Sequence, residues 1–600
     1  MTTFDRRRLL LGSAGLAAGA AIPAWDKKPK EPLPGSLDGR PFPAYDYSRA
    51  NKLPREMTGY WTKSFGARTA KVYISPETPI RSYFTVLADP GKDLSAWIRR
   101  ADQRQEGLFI LEPGPGGWGT PEEESAYVEE AMAFFQNNRY FSIFGLHYLV
   151  GYGGGAPALE AWAVAHPLRV IAQVYVDSPG LSAAFLDSYA SKQFDGTTDG
   201  YTPVEFPPGF DLIRYDETVL PTWYIHPDPR SAGASLAYWK RANDVGRQTE
   251  HGVLGTVYQQ RPGSPRWMTS HAGPIAKVAV QPRRRPGVDD IIGFLTAYTR
   301  YENFFAYGNQ LYERASYENI EVHTMMVNGF VREYLVHVPR KAGRKAPVLF
   351  VWPGNSQTDK VFVDATQWWK VAEREGFILV VVCEQYSTTS VSVSHRDSNL
   401  FFQQLRAVMT KDYDVDPTRF YSTGQSAGSQ VTQNFAIAFP EYFAAVASTS
   451  FTVAPDAAGN ITMDGVAYPA SNRPIPNYQI YGYGDLQFLA GTLWDDTQNS
   501  LDSWAQYHLS VNRLTLDQAE SRRSGFHRRF QTWTWKSRGI PVFKVTKNVY
   551  RSHNTMAEEQ PLLWDFLKHY SREVAADGTV TRYYSPSAFH RPGDRRRLPA

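Results

Sequence analysis

The chain alternates short, continuous apolar runs with amphipathic stretches. In the C-terminal half, "APVLFVWPG", "FILVVVCE", "RFYSTG", "FAAVAS", "NYQIYGYGD" and "IPVFKVTKNV" read as strands buried on both faces. Between them, "DATQWWKVAEREG", "SNLFFQQLRAVMTKDYDVD", "SQVTQNFAIAF" and "QPLLWDFLKHYSRE" carry apolar residues at helical spacing. Ahead of them, "IEVHTMMVNGFVREYLVHVPR" alternates through Asn328-Gly329, the strongest short hairpin signal. Buried strands alternating with helices predict an α/β fold, a mostly parallel sheet with helices on both faces. In such sheets, ligand sites lie beyond the carboxyl ends of the strands.

The N-terminal half repeats this plan. "LVGYGGGAPALEAWAVAHP" aligns without a gap on "STGQSAGSQVTQNFAIAFP", so that Gly151 falls on Gly424, Gly153 on Ser426, Gly155 on Gly428 and Pro167 on Pro440. Four more landmarks recur in order. "LFILEPG" matches "LFVWPG", and "IRSYFTVLADP" matches "VREYLVHVPRK". "LPTWYIHPDP" matches "IPNYQIYGYGD". "MTSHAG" with "IIGFLTAYTRYE" matches "YRSHNT" with "LLWDFLKHYSRE". We read a duplicated domain, with copies at 40–312 and 313–575; the period is far too long for a solenoid. On this alignment the first copy lacks the helix-strand unit "QWWKVAEREGFILVVV". Two tandem α/β domains built on one plan are the expectation.

Composition narrows the function classes. A net charge of +4 over 600 residues, without a long basic stripe, argues against a nucleic-acid partner. The single cysteine, Cys383, excludes an intrachain disulfide, and the thirteen histidines show no metal-ligand spacing. The 14% aromatic content fits large cores better than a stacking surface. The N-terminus, "FDRRRLLLGSAGLAAGAAIPA", has the layout of an export signal over 1–24, and Arg6-Arg7 gives it a twin-arginine character. No other run is long enough to span a membrane, so a soluble, exported protein, periplasmic or extracellular, is expected. "RPGDRRRLPA" closes a basic tail, 576–600, expected to be solvated.

Gly424-Gln425-Ser426-Ala427-Gly428 is a Gly-x-Ser-x-Gly between a strand and a helix, the context of a nucleophile elbow. Ester hydrolysis through a serine needs a base, a carboxylate to orient it and donors for the oxyanion. The order Ser, acid, His selects Asp485 at the end of "YQIYGYGD" and His553 after "VFKVTKNV". Asp495, Asp496 and Asp502 compete for the acid, and His508, His527 and His569 for the base. Oxyanion donors are expected from the backbone of Ala427 and of Gly354 or Asn355. The first copy has Asp228 and His271 at matching landmarks but Gly153 for the serine, which makes it catalytically silent; "GPGGWGT" (114–120) could be a flexible loop beside the cleft. Trp368-Trp369 reads as packing of a helix on the sheet. No metal or cofactor is required.

The second copy resembles the polyhydroxybutyrate depolymerase and feruloyl/acetyl-xylan esterase branch of the α/β-hydrolases. The resemblance runs through "VNGFVREYLVHVP", "PVLFVWPGN", "WWKVAEREGFILVVVCEQ", "YDVDPTRFYSTGQSAGSQVT", "FPEYFAAVAS", "YGYGD" and "SHNTMAEEQPLLWDFLKHYSR". It implies an exported serine esterase acting on a polyester, feruloyl or acetyl ester, and carries the triad roles onto Ser426, Asp485 and His553. Three positions depart from the family: Pro353-Gly354 and Tyr481-Gly482 where it has His-Gly, and Ser429 where it has Gly. A serine peptidase on the same fold, and an inactive binding or scaffold protein, are the rival expectations.

Overall fold

A computed structural model describes residues 35–41, 43, 46–80, 82–137, 147–194, 213–266, 273–301, 310–316, 319–354, 357–383, 385–386, 393–482, 485, 500–549, 551, 553, 555–591 and 593–599. The expected export segment, His271, Asn355, Asp495 and Asp496 lie outside them.

The apolar runs of the N-terminal half form one large sheet. Its strands are β1 (Gly59–Phe65), β2 (Arg68–Ile74), β3 (Phe84–Ala88), β4 (Gly107–Leu111), β5 (His147–Tyr152), β6 (Val170–Val176), β7 (Thr222–Ile225), β8 (Val245–Gly252), β9 (Gly255–Gln260) and β10 (Lys277–Gln281). The spatial order is β1-β2-β4-β3-β5-β6-β7-β10-β9-β8, with Gly35–Ser36 paired outside β1. A separate pair follows, β11 (Tyr298–Tyr301) and β12 (Gln310–Glu313).

The C-terminal half forms a second sheet from β13 (Ile320–Val327), β14 (Phe330–His337), β15 (Ala346–Trp352), β16 (Ile378–Val382), β17 (Val415–Gly424), β18 (Ala445–Thr449), β19 (Asn477–Gly482), β20 (Glu520–Ser524), β21 (Phe530–Ser537) and β22 (Ile540–Asn548). Its order, β13-β14-β16-β15-β17-β18-β19-β22-β21-β20, is the first sheet's order strand for strand. The six central strands of each are parallel. Fully buried strands of this kind carry apolar side chains on both faces because helices cover both. The covering helices are α1 (Ser95–Arg104), α2 (Pro121–Asn137), α3 (Gly155–Ala165), α4 (Ala183–Ala190), α5 (Gly233–Ala242) and α6 (Val288–Leu295) in the first half. In the second they are α7 (Asp359–Thr366), α8 (Trp368–Glu375), α9 (Ser398–Asp412), α10 (Ala427–Ala438), α11 (Ser500–Val511) and α12 (Glu559–Leu567). Trp368 is buried against Phe377 in the core of its half, as packing requires.

The topology corrects two expectations. "LFILE" is β4, which lies between β2 and β3, the place held by "FILVVV" of β16 between β14 and β15. The counterpart of "LFVW" is β3, "FTVLA", so no helix-strand unit is missing: α1 is its helix. Interchangeable apolar runs, each followed by a Pro-Gly or Asp-Pro turn, produced the shifted match. The chain end is also structured. Strands β23 (Tyr570–Val574), β24 (Val580–Tyr584) and β25 (Arg596–Arg597) form a small sheet, and Leu598 is buried in the core, so 576–600 is not a solvated tail. β23 and β24 repeat β11 and β12, which carries the second unit past residue 575. Equivalent contacts recur: Tyr148 Oη donates to Tyr298 O and Tyr421 Oη to Tyr570 O, each at 2.7 Å.

Candidate active site

β17 ends in Gly424, and the chain must reverse into α10 within three residues. A Cβ on Gly424 would lie 2.3 Å from the Gly428 carbonyl, and one on Gly428 would lie 1.9 Å from Trp352 O. Only glycine at both positions lets helix and strand cross this closely. Between them Ser426 is held at φ 51°, ψ −116°, a backbone that L-residues rarely adopt. Its N–H is tied to Thr449 O at 3.1 Å. The strained turn aims the hydroxyl outward at the carboxyl edge of the sheet.

His553 and Asp485 arrive at the same edge, beyond β22 and β19. His553 Nε2 is 3.0 Å from Ser426 Oγ, and His553 Nδ1 is 2.5 Å from Asp485 Oδ1. Asp485 is fully buried, whereas the imidazole keeps 12% exposure. The other Asp485 oxygen accepts the Gly482 N–H at 2.6 Å. Of the competing acids and bases, Asp502 accepts from Gln506 within α11. His508 is buried beside Asn477, and burial lowers its pKa to about 3. His569 bonds the Ser585 carbonyl, and none of these, nor His527, contacts Ser426.

The Ala427 N–H heads α10 ahead of the first intrahelical bond, Gln430 N–H to Ser426 O. It is a donor at a positive helix end, beside the serine hydroxyl. The Gly354 N–H, in contrast, donates to Gln357 Oε1 at 2.6 Å and is engaged. Gln425 Oε1 lies 2.0 Å from where a Gly354 Cβ would be, which explains the glycine. Ser429 lies 2.9 Å from Ser448 Oγ and 2.6 Å from Phe451 O, in a buried polar network with Gln433 and Gln479.

Behind the acid lies a group that the sequence reading missed. Arg551, fully buried, places Nη1 3.5 Å from Asp485 Oδ2 and donates to Ser450 Oγ at 2.7 Å. Its Nε donates to Glu559 Oε1 at 2.7 Å, and Glu559 also accepts from Asn548 at 2.9 Å. The available signal was the pair of charged residues bracketing His553, in a loop expected to be polar.

In the first half the elbow backbone persists without the nucleophile. Gly153 has φ +49°, and its N–H donates to Val176 O at 2.9 Å, as Ser426 does to Thr449. Asp228 is exposed and accepts from the Arg230 N–H and the Ser231 hydroxyl. Strand register sets Ile225 against Ile480, so Asp228 is three residues past this point and Asp485 five, and the two are not at matching positions in the chain. Trp118 of "GPGGWGT" packs over Gly154, and Glu124 clasps both the Gly119 N–H and Arg68, so this loop caps the first half's own elbow.

One trio could chelate a cation among the described residues: Glu333, Asp359 and Cys383, all buried, with ligand atoms within 4.8 Å of one another. Burial and the neighbouring Glu333 push the Asp359 carboxyl well above its usual range, as when two carboxyls share a proton.

A sheet of this order, with a serine elbow and a histidine-carboxylate pair at its carboxyl edge, is the α/β-hydrolase arrangement. No family model matches the chain. It is 23% identical over 257 residues to the bifunctional acetylxylan esterase/xylanase XynS20E of Neocallimastix patriciarum, a match covering 42% of this chain and 35% of that one. The chain thus spans about a third of that relative's length. Similar solved structures include an acetyl xylan esterase from Aspergillus awamori, at 13% identity and TM-score 0.30, covering 41% of this chain and 98% of that one. An S-formylglutathione hydrolase from Agrobacterium tumefaciens aligns at 13% identity and TM-score 0.28, covering 41% and 90%. Among the described residues no helix is long and apolar enough to cross a membrane.

Proposed function

We propose that the chain is an exported carboxylic ester hydrolase whose C-terminal half, about 313–584, holds the working triad. The 3.0 Å contact between His553 Nε2 and Ser426 Oγ, with Asp485 behind Nδ1, carries this reading. Ser426 Oγ attacks the ester carbonyl carbon while His553 Nε2 takes its proton. The carbonyl π pair moves onto oxygen, where the Ala427 N–H and a second backbone donor, assigned to Asn355, receive it. Collapse expels the alcohol, which leaves with the proton from His553. Water, deprotonated by His553, then attacks the acyl-enzyme and releases the acid and the serine. Asp485 holds the imidazole tautomer throughout.

The acetylxylan esterase relative favours an acetyl ester of xylan over a feruloyl ester or a hydroxyalkanoate polyester. Export by the twin-arginine route is part of the proposal and predicts that an Arg6→Lys, Arg7→Lys pair leaves the precursor inside the cell.

A fluorophosphonate probe should modify Ser426, located by peptide mass spectrometry, and Ser426→Ala should abolish both labelling and p-nitrophenyl acetate hydrolysis. Absence of an adduct would return the protein to the binding-protein class. Turnover of a peptide anilide in preference to the ester would return it to the peptidases.

A further inference from the structure

A groove of about 580 Å³ opens on the face opposite the triad. It lies between the amino-terminal ends of β19 and β22, the β21–β22 hairpin and the small C-terminal sheet. β22 alone separates it from the His553 edge by roughly 30 Å at the usual rise per residue. Its charged lining is Arg473, Arg513, Lys536, Arg538, Arg582 and Arg597, with no acidic side chain among them. Lys536 is balanced by Glu520 at 2.5 Å. Arg473, Arg513, Arg538 and Arg597 form no ion pair among the described residues.

Exposed arginines alone would be ordinary surface; the floor is not. Arg582 is buried and directly opposite buried Arg572 across β23 and β24. Like charges facing each other on adjacent strands are destabilising. Both guanidiniums are held by carbonyl oxygens, Arg582 by those of Pro474, Pro440 and Phe443, and Arg572 by those of Pro417 and Tyr442. Arg582 Nε has no acceptor. Glu441 offsets part of this charge but forms an ion pair with neither. The twin half provides an internal control. There Arg300, the counterpart of Arg572, faces Leu311, so the second cation is not needed to build this sheet.

We infer that this groove is a binding site for small polyvalent anions, with Arg582 in its floor and Arg513 and Arg538 on its rim. Guanidinium groups pair with carboxylate and phosphate oxygens in fork geometry, and several around one concavity select for more than one negative charge. An anion there relieves the cross-strand repulsion, so binding adds stability to the folded state. The inference is independent of the esterase reading, because the groove and the triad lie at opposite ends of the same strands.

Thermal melts of the full chain in sodium tripolyphosphate, in citrate and in sodium chloride of matched ionic strength test it. Tripolyphosphate should raise the midpoint by at least about 2 °C and saturate, whereas chloride should not. Equal response to citrate would assign the site to polyvalent anions in general; response to tripolyphosphate alone would assign it to phosphates. Arg513→Glu with Arg538→Glu should weaken binding at least about tenfold by equilibrium dialysis. Arg582→Leu, which installs the twin's residue, should fold and lose the saturable rise. Each variant should keep wild-type ester turnover. A rise no larger than in chloride, or one that survives in both variants, would overturn the site.

Discussion

At the residue scale the central positions of the two elbows, Gly153 and Ser426, differ by one hydroxymethyl group. A Cβ on Gly153 would meet nothing within 4 Å, and its φ of +49° matches the +51° at Ser426. Gly153→Ser should therefore fold, at a cost of about 1–2 kcal/mol for holding a side chain at positive φ. It should still take up no fluorophosphonate, because Asp228, the carboxylate at the acid's landmark, is exposed and engaged by its own loop through the Arg230 N–H and the Ser231 hydroxyl. The charged pair behind Asp485 gives a second prediction. Arg551→Met removes the cation 3.5 Å from Asp485 and leaves Glu559 buried without its partner, and should lower ester turnover at least about tenfold in steady-state assays. Arg551→Lys, which keeps the charge, should recover part of that loss. That Ser426, His553 and Asp485 would meet at one edge was readable from strand-end position and chain order. Arg551 was not, because nothing local distinguishes a buried arginine from a solvated one in a polar loop.

At the element scale, the existence and type of the strands were plain in the apolar runs, but their pairing was not. β3 and β4 are adjacent, parallel and nearly interchangeable in composition, and only the sheet order separates "FTVLA" from "LFILE". The glycines of the elbow convert the crossing of α10 over β15 into a sharper test. Gly428→Ala puts a methyl 1.9 Å from backbone that cannot yield, and should destabilise the half by about 3 kcal/mol in urea titration. Gly155→Ala, the twin position, meets Ala88 at 3.0 Å and should cost less, about 1 kcal/mol. At the start of α7, Asp359 gives a pH dependence. Its carboxyl pKa is raised by burial and by Glu333, so its contribution is full below about pH 4 and is lost as pH rises through the folded-state value. Asp359→Asn should therefore raise the melting temperature at pH 7 and lose that advantage at pH 4.

At the scale of the molecule, the halves are joined through α7, the first helix after β15. Val361 and Ala365 of α7 lie in the hydrophobic cluster of the first half, with Trp223, Phe294 and Leu311. Asp364, fully buried, accepts the Tyr83 hydroxyl at 3.0 Å and the Ala315 N–H at 2.8 Å, and lies 3.4 Å from Arg314 Nε. Arg314 in turn donates to Glu106 at 2.7 Å and stacks over the Tyr83 ring at 4.0 Å. Ala557, four residues beyond His553, packs on the same cluster. The first half therefore supports both loops that flank Ser426, although its own elbow has no hydroxyl. Cutting the chain to 313–600 would strip Asp364 and Arg314 of Tyr83 and Glu106 and expose the apolar face of α7. Loss of one side of a buried charged network costs about 3–5 kcal/mol. The fragment should be insoluble, or should melt well below the full chain with ester turnover reduced at least tenfold. Co-expression of 40–312 should restore solubility and activity together, since the missing contacts are non-covalent. A fragment that stays soluble and turns over ester at the full rate would mean that the buried seam contributes nothing to the site.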